Sequence, residues 1–93
     1  MVTFIILFNV RKDRITDIAE QLAEMAEISE VYSVTGIYDL VAIVRTKTND
    51  DVAELVTNRL GTIEGIEKTD TMLAFKAYSR HDLETMFSIG LAE

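Results

Sequence analysis

Residues 34–40 read VTGIYDL and lie between two runs rich in β-branched residues, so they predict a tight bend between two strands. Gly36 supplies backbone angles that other residues reach only at a cost, and it leaves neighbouring N–H groups open to a small anion. Asp39 follows with the opposite polarity. N–H donors beside a carboxylate suit a zwitterion, such as a free amino acid. The simpler interpretation is a structural hairpin whose aspartate bonds its own backbone.

Apolar patterning outside this bend predicts four strands, at residues 2–8, 31–35, 40–46 and 66–78. The last of these is long enough to bend. The strands alternate with two helical stripes. The first stripe runs from Ile15 to Ala26 with Asp13 as its N-cap.

The second stripe runs from Val52 to Leu60, with residues 48–51 supplying the N-cap and early acids and Gly61 at the C-cap position. Ser79 could cap a short terminal helix that carries Leu83, Met86 and Phe87.

The two halves of the chain resemble each other, since each helix leads through an Ile-x-x-Val or Ile-x-x-Ile step into a strand. A duplicated unit with right-handed crossovers predicts an α+β, ferredoxin-like βαββαβ sandwich with a four-stranded antiparallel sheet. At 93 residues and without a linker-like segment, residues 1–93 are expected to form one domain that ends in the C-terminal helix.

The two strands expected at the centre of the sheet, FIILF at residues 4–8 and LVAIV at residues 40–44, do not alternate apolar and polar residues. Both faces of the sheet are therefore expected to be apolar. At about 25 cal/mol per Å², exposing four or five large side chains would forgo several kcal/mol, comparable with the stability of a small domain. The pattern favours a homodimer packed sheet to sheet, a dimeric α/β barrel. The terminal helix is the other element that could cover this face.

Composition argues against several classes of function. The net charge is −7 and the basic residues are scattered, so direct nucleic-acid binding is not expected. No apolar run is long enough for a membrane span, and the N-terminus does not read as a signal peptide. A cytoplasmic location is predicted. No cysteine, phosphate-binding loop or metal-ligand spacing is present, so no cofactor and no metal are predicted. The single His81 lies beside the Ser79 cap and is expected to be a surface residue.

The GIYD turn at residues 36–39, followed by a strand, a helix and IEGIEKTDT at residues 63–71, resembles the effector-binding (RAM) domain of the Lrp/AsnC family of feast/famine regulators. The resemblance covers roughly residues 2–78. Glu64 precedes Gly65 where the family usually has proline, and the turn is expected to survive that change.

The resemblance implies homodimers that assemble further into tetramers or octamers, and an amino acid or similar small effector bound near the turn at a subunit interface. It also implies a stand-alone form without the helix-turn-helix domain, which could partner a full-length family regulator. The residues that match the ligand-binding positions are Thr35, Gly36, Tyr38, Asp39, Thr69 and Thr71. Plain β-propensity explains the two threonines on the last strand equally well. Packing in the core or at the dimer interface explains Tyr38 at least as well.

The leading hypothesis is therefore a regulatory module that senses an amino acid, with no catalytic residues. A small dimeric enzyme is the second hypothesis, because ferredoxin-like dimers also serve as monooxygenases and isomerases. A cavity lined by His81 or Asp39 together with a second convergent acid would favour that alternative. A purely structural dimerisation module is the third.

Overall fold

The computed structural model describes residues 1–78 and 80. The predicted terminal helix, with its Ser79 cap, His81, Leu83, Met86 and Phe87, lies outside the described residues.

The described chain follows the predicted βαββαβ order. Its strands are β1 (Val2–Val10), β2 (Ile28–Ser33), β3 (Leu40–Thr46) and β4 (Ile66–Ala74), and its helices are α1 (Ile15–Ala23) and α2 (Asn49–Glu54). A 3₁₀ turn at Lys12–Arg14 leads into α1, and α2 continues through a π turn at Leu55–Arg59 and a 3₁₀ turn at Leu60–Thr62. The sheet is antiparallel in the order β2-β3-β1-β4, so β1 and β3 are central and the ferredoxin-like fold is confirmed.

One face of the central strands forms the core against the two helices. Ile6, Phe8, Leu40 and Val44 are all fully buried on this face. The helices contribute Ile18 and Leu22 from α1, and Val52, Leu55 and Leu60 from α2 and its extension. This layer supports the turn at residues 34–39, which joins the ends of β2 and β3.

The opposite face of the sheet, called the open face below, is also apolar. It carries Ile5 and Leu7 of β1 opposite Ile43 and Val41 of β3, all partly exposed. On the edge strands, Tyr32 and Met72 extend the apolar surface and are 50% and 45% exposed. The expectation of an apolar central pair on both faces is confirmed.

Both predictions for the helix caps of Asp13 and Gly61 were wrong. Asp13 lies in the 3₁₀ turn before α1, and its carboxylate binds the Arg11 side chain instead of backbone N–H groups. Gly61 does not adopt a left-handed conformation. The helix instead ends by tightening into a 3₁₀ turn, in which the Thr62 hydroxyl donates to the Arg59 carbonyl and Ile63 N–H donates to the Leu60 carbonyl.

The prediction for the start of α2 is confirmed, because Thr48 and Asp51 form a reciprocal capping box. Four strand limits differ from those predicted: β1 ends at Val10, β2 runs from Ile28 to Ser33, and β4 ends at Ala74. β2 begins at Ile28 because Ile28 and the residues after it pair with β3. β4 ends at Ala74 because Ala74 lies opposite Thr3, close to the start of β1, and the chain beyond it has no strand to pair with.

Gly65 joins the helical layer to β4 through a close contact. Its φ is +102°, and a Cβ atom built on it would lie 3.0 Å from Ile18 Cδ1 and 3.3 Å from the Arg14 side chain. Its carbonyl accepts a hydrogen bond of 2.8 Å from Arg11 N–H. The turn forms with Glu64 before the glycine, so proline is not needed there.

We expect Gly65→Ala to lower the free energy of unfolding by about 1–3 kcal/mol, because the new Cβ would meet both a left-handed backbone and the side chain of Ile18. Gly61→Ala is the matched control, because its φ is not left-handed and its nearest contact would be an ordinary 3.7 Å. That change should leave stability equal or raise it by up to about 1 kcal/mol. Urea unfolding at one fixed protein concentration measures both, and equal effects would contradict the steric explanation.

Candidate functional site

The turn at residues 34–39 is held against the end of β1 by backbone hydrogen bonds. Val34 N–H donates to the Asp39 carbonyl at 3.0 Å and closes the turn. Asp39 N–H donates to the Phe8 carbonyl at 2.8 Å, and the Asn9 side-chain amide donates to the Ile37 carbonyl at 2.6 Å. The loop is therefore part of the sheet framework and has a defined shape without a ligand.

The Asp39 carboxylate has a structural partner of its own. Its Oδ2 atom accepts a hydrogen bond of 2.9 Å from Val10 N–H, and the contact is partly buried. The simpler interpretation of the turn is therefore correct in part, although the backbone group that Asp39 binds belongs to β1 and not to the turn. An ionised carboxylate offers about four acceptor positions on its two oxygens, so Asp39 retains capacity for another donor.

Gly36 gives the turn its backbone conformation. Its φ is +114°, and no atom would lie within 4 Å of a Cβ built on it, so glycine is required by the backbone angle and not by crowding. Within residues 1–78 and 80, the N–H groups of Gly36 and Ile37 have no hydrogen-bond acceptor. Free N–H groups next to a left-handed residue are a suitable anion-binding element.

A cavity of about 640 Å³, called the turn cavity below, lies between this turn, the end of β1 and the start of β4. The turn contributes Gly36, Ile37 and Asp39, and the remaining lining residues are Asn9, Val10, Arg11, Lys12, Asp13 and Glu67. The lining carries charges of both signs, from two cationic and three carboxylate side chains. An anionic group and an ammonium group could therefore both find partners in it.

The charged residues of the turn cavity are not equally available. Arg11 forms a bidentate pair with Asp13, at 2.7 and 3.2 Å, and lies 3.9 Å from Glu64. This pair is exposed and contributes little to stability. Lys12 and Glu67 are also exposed, and neither forms an ion pair within the described residues. Lys12, Asp39 and Glu67 are therefore the charges that a ligand would meet.

Tyr38 points away from this cavity and onto the open face. Its hydroxyl donates to Asp70 of β4, which lies opposite Leu7 of β1. The hydrogen bond to Asp70 raises the pKa of Tyr38 above its ordinary value of 10.0, and burial and the negative charge of Asp70 act in the same direction. The Tyr38 hydroxyl is therefore already occupied and ties the turn to β4 across β1.

The remaining predicted site residues are separated within one subunit. Thr35 is exposed on the turn. Thr69 lies opposite Phe8, and Thr71 opposite Ile6, so both threonines face the helical side of the sheet. They line two other cavities, one beside Leu60 and one beside Val52. One subunit brings Gly36 and Asp39 together, and a site that also includes both threonines would need a second subunit.

Only Gly36 and Asp39 of the lining residues were predicted from the sequence as ligand-binding residues. The lining residues that were not predicted are Asn9, Val10, Arg11, Lys12, Asp13, Ile37 and Glu67. Asn9 carried a usable signal, because it is the one polar side chain after an otherwise apolar run. Val10 contributes through its backbone N–H, which no side-chain pattern reveals. Glu67 is placed by an irregularity in the β1–β4 pairing between Asn9 and Val10, which depends on the folded sheet.

Among residues 1–78 and 80, no group of three or more His, Asp or Glu side chains is placed to hold a metal ion. No helix in the described part of the chain is long and apolar enough to cross a membrane.

Comparison with known proteins gives a consistent result. Residues 3–83 match the family model described as the Lrp/AsnC ligand binding domain. The HTH-type transcriptional regulator FL11 of Pyrococcus furiosus is 37% identical over 73 residues, which is 78% of this chain and 48% of the relative. The chain thus spans about half the length of this curated relative.

Solved structures show the same fold. The protein TTHA0845 from Thermus thermophilus has a TM-score of 0.80 at 45% identity and covers 86% of this chain and 100% of its own. The regulator NMB0573 from Neisseria meningitidis, solved as a complex with L-Met, has a TM-score of 0.77 at 17% identity. It covers 85% of this chain and 53% of its own, and at that identity it supports the fold alone.

We expect Asp70→Asn to lower the pKa of Tyr38 towards 10.0, because a neutral amide is a weaker acceptor and removes the negative charge. The raised pKa means that this contact stabilises the folded state below pH 10.0 and that its contribution is lost as pH rises through the folded-state value. NMR titration of labelled tyrosine rings measures the change. Glu30→Gln is the control, because it should lower the pKa of Tyr32 and leave Tyr38 unaltered. An unchanged Tyr38 in Asp70→Asn would show that the two side chains do not interact.

Proposed function

The chain belongs to the Lrp/AsnC family through its ligand-binding domain, and from that premise we propose that it is an amino-acid-sensing regulatory module. In this proposal a free amino acid binds in the turn cavity, and binding changes how subunits assemble. The relatives are transcriptional regulators, so the output would be a change in transcription, directly or through a full-length family regulator.

The observation that carries the proposal is the pairing of opposite polarities at the turn. The free N–H groups of Gly36 and Ile37 suit a ligand carboxylate, and Asp39, with Glu67 nearby, suits its ammonium group. The hydrogen bonds that hold the turn in place without a ligand limit the entropy lost on binding. NMB0573 has the same fold and was solved with L-Met, which supports a free amino acid as a ligand that this fold can accommodate.

Two observations support a site completed by a second subunit. The turn cavity is open on one side, and the predicted ligand residues Thr69 and Thr71 lie away from it in the same subunit. The open face gives a separate reason to expect assembly, because the apolar side chains of its central strands stay partly exposed in the described chain. Binding and assembly would then be coupled, since a ligand at the seam contacts both subunits.

The enzyme alternative is less well supported. Asp39 and Glu67 do line one cavity, so the condition stated above for an enzyme, Asp39 with a second acid in the same cavity, is met. However, Asp39 is engaged by Val10 N–H, and Glu67 is exposed to solvent. Catalytic carboxyl groups are usually enclosed together in a cleft, and here Glu67 is exposed while Asp39 already has a structural partner.

We expect one or more of the twenty amino acids to raise the melting temperature of the full chain. At a concentration ten times Kd, mass action stabilises the folded state by about 1.4 kcal/mol, which corresponds to roughly 5–10 °C for a domain of this size. Asp39→Asn should remove this shift, because the amide can still accept from Val10 N–H but no longer attracts an ammonium group. Thermal shift at fixed protein concentration is the measurement.

Two controls separate ligand binding from folding. Asp39→Ala deletes the acceptor and should destabilise the ligand-free protein by about 1–3 kcal/mol, whereas Asp39→Asn should cost less. Glu67→Gln removes the charge of Glu67, and a smaller ligand-induced shift in this variant would show that Glu67 also contacts the ligand. If Asp39→Asn retains the full ligand-induced shift, or if no amino acid gives a shift at millimolar concentration, the proposed site is incorrect.

We further expect Val41→Lys to weaken self-association, because Val41 lies at the centre of the open face and a buried unpaired ammonium group is costly. The dimer Kd should rise on the order of 100-fold or more. Analytical ultracentrifugation measures it. Gln21→Lys adds the same charge on the exposed surface of α1 and should leave Kd unchanged. If both variants associate equally well, the open face is not the dimer interface.

A further inference from the structure

Two carboxylates of the open face are each bound by a tyrosine hydroxyl. Near one edge of the sheet Tyr32 donates to Glu30, and both residues belong to β2. Near the other edge Tyr38 of the turn donates to Asp70 of β4, across β1. The second contact joins residues that are 32 positions apart in the chain. It therefore forms only when the turn and β4 are both in place.

Asp70 lies where a second subunit on the open face would bury it. It is opposite Leu7 in the β1–β4 pairing, and residues directly opposite each other in an antiparallel pair lie on the same face. Met72, two residues further along β4, is opposite Ile5 on that face. A subunit that covered Leu7 and Ile5 would also remove Asp70 from water. A buried carboxylate is costly unless it keeps a hydrogen-bond partner.

The Tyr38 hydroxyl is the partner that Asp70 has. In the part of the chain that the structure describes, no Lys or Arg forms an ion pair with the Asp70 carboxylate. Glu30 is held differently, because Arg45 lies 3.9 Å from it in addition to the tyrosine. Burial of Asp70 therefore depends on the position of one residue of the turn.

The position of Tyr38 is set by the segment that also lines the turn cavity. Ile37 and Asp39, which flank it in the chain, both line that cavity. The Ile37 carbonyl accepts from the Asn9 amide, and the Asp39 carboxylate accepts from the backbone of β1. A ligand held by Ile37 N–H and Asp39 would further restrain both neighbours of Tyr38. The groups that would bind the ligand and the group that binds Asp70 thus alternate along one short segment.

We propose that Tyr38 is a positioning residue that couples the turn cavity to assembly, because its hydroxyl binds Asp70 when the open face packs against a second subunit. This inference rests on the proposed function, since it needs an amino acid at the turn and a dimer formed through the open face. Binding that restrains the turn holds the Tyr38 hydroxyl on Asp70 and favours the dimer. By reciprocity, dimerisation favours ligand binding.

Tyr38→Phe tests the inference, because it removes the hydroxyl and keeps the ring. The dimer Kd of the full chain is measured by analytical ultracentrifugation, with and without a mixture of the twenty amino acids at millimolar concentration. Without amino acids, Tyr38→Phe should raise the dimer Kd on the order of tenfold or more, because Asp70 loses its partner. The mixture should lower the dimer Kd of the wild type, and Tyr38→Phe should lose most of this response.

Asp70→Asn is the rescue variant. It removes the charge that is costly to bury, so combining it with Tyr38→Phe should return the dimer Kd most of the way to the wild-type value. Damage to the fold by Tyr38→Phe would not be repaired in this way. If the double variant dimerises as weakly as Tyr38→Phe alone, Asp70 is not the reason for the loss and the inference is wrong.

Tyr32→Phe is the matched control. It also removes a hydroxyl from a carboxylate of the open face, but Glu30 keeps Arg45 nearby and Tyr32 is not part of the turn. Its dimer Kd should change less than that of Tyr38→Phe, and its response to the amino acids should equal that of the wild type. An equal loss of response in both variants would contradict a specific role for Tyr38.

The melting temperature of the wild type separates this inference from the proposed function. If the mixture raises it but changes the dimer Kd of the wild type and of Tyr38→Phe by the same factor, amino-acid sensing stands and the coupling through Tyr38 is overturned. If the mixture does not raise the melting temperature, the proposed function itself fails, and the coupling fails with it.

Discussion

The central pair of strands, β1 and β3, places the strongest constraint on this small protein. Their residues alternate between the two faces of the sheet, yet both sets of side chains are apolar. The helices cover one set, in which Ile6 and Phe8 are fully buried. The other set remains partly exposed, so its burial contributes less to the stability of the described chain. Covering this second set is a physical demand of the sheet, and the proposed sheet-to-sheet assembly would meet it.

The candidate site depends on the same central strand. Asn9 and Val10 at the end of β1 hold the turn through a side-chain amide and a backbone N–H. The irregular pairing at this point also brings Glu67 of β4 to the turn cavity. A ligand in that cavity would contact groups that position the end of the central strand. β1 also carries Ile5 and Leu7 of the open face, so one strand contributes residues to both places.

Sequence reasoning recovered the fold because its signals are local or periodic. The Thr48 capping box, the two helical stripes and the unbroken apolar strands can each be recognised from a short stretch of sequence. It failed at the start of α1, where the Asp13 carboxylate binds the Arg11 side chain and does not cap the helix. It also failed at the end of the second helical segment, which closes with a 3₁₀ turn and not with a left-handed glycine. It predicted Gly36 and Asp39 of the candidate site but not Lys12 or Glu67, because only the folded chain brings the end of β1 and the start of β4 next to the turn. Thr69 and Thr71 face the helical side of the sheet and line other cavities, a placement that depends on strand register and not on local sequence.

The hydrogen bond from Val10 N–H to the Asp39 carboxylate has a consequence for how related sequences can be interpreted. An aspartate at this position is useful to the fold whether or not a ligand is bound, because it satisfies a backbone donor where the strand pairing becomes irregular. A descendant that lost its effector would still benefit from keeping it. Retention of the glycine–tyrosine–aspartate turn is therefore evidence of shared architecture. Evidence of shared chemistry has to come from the exposed lysine and glutamate, which the fold itself does not need.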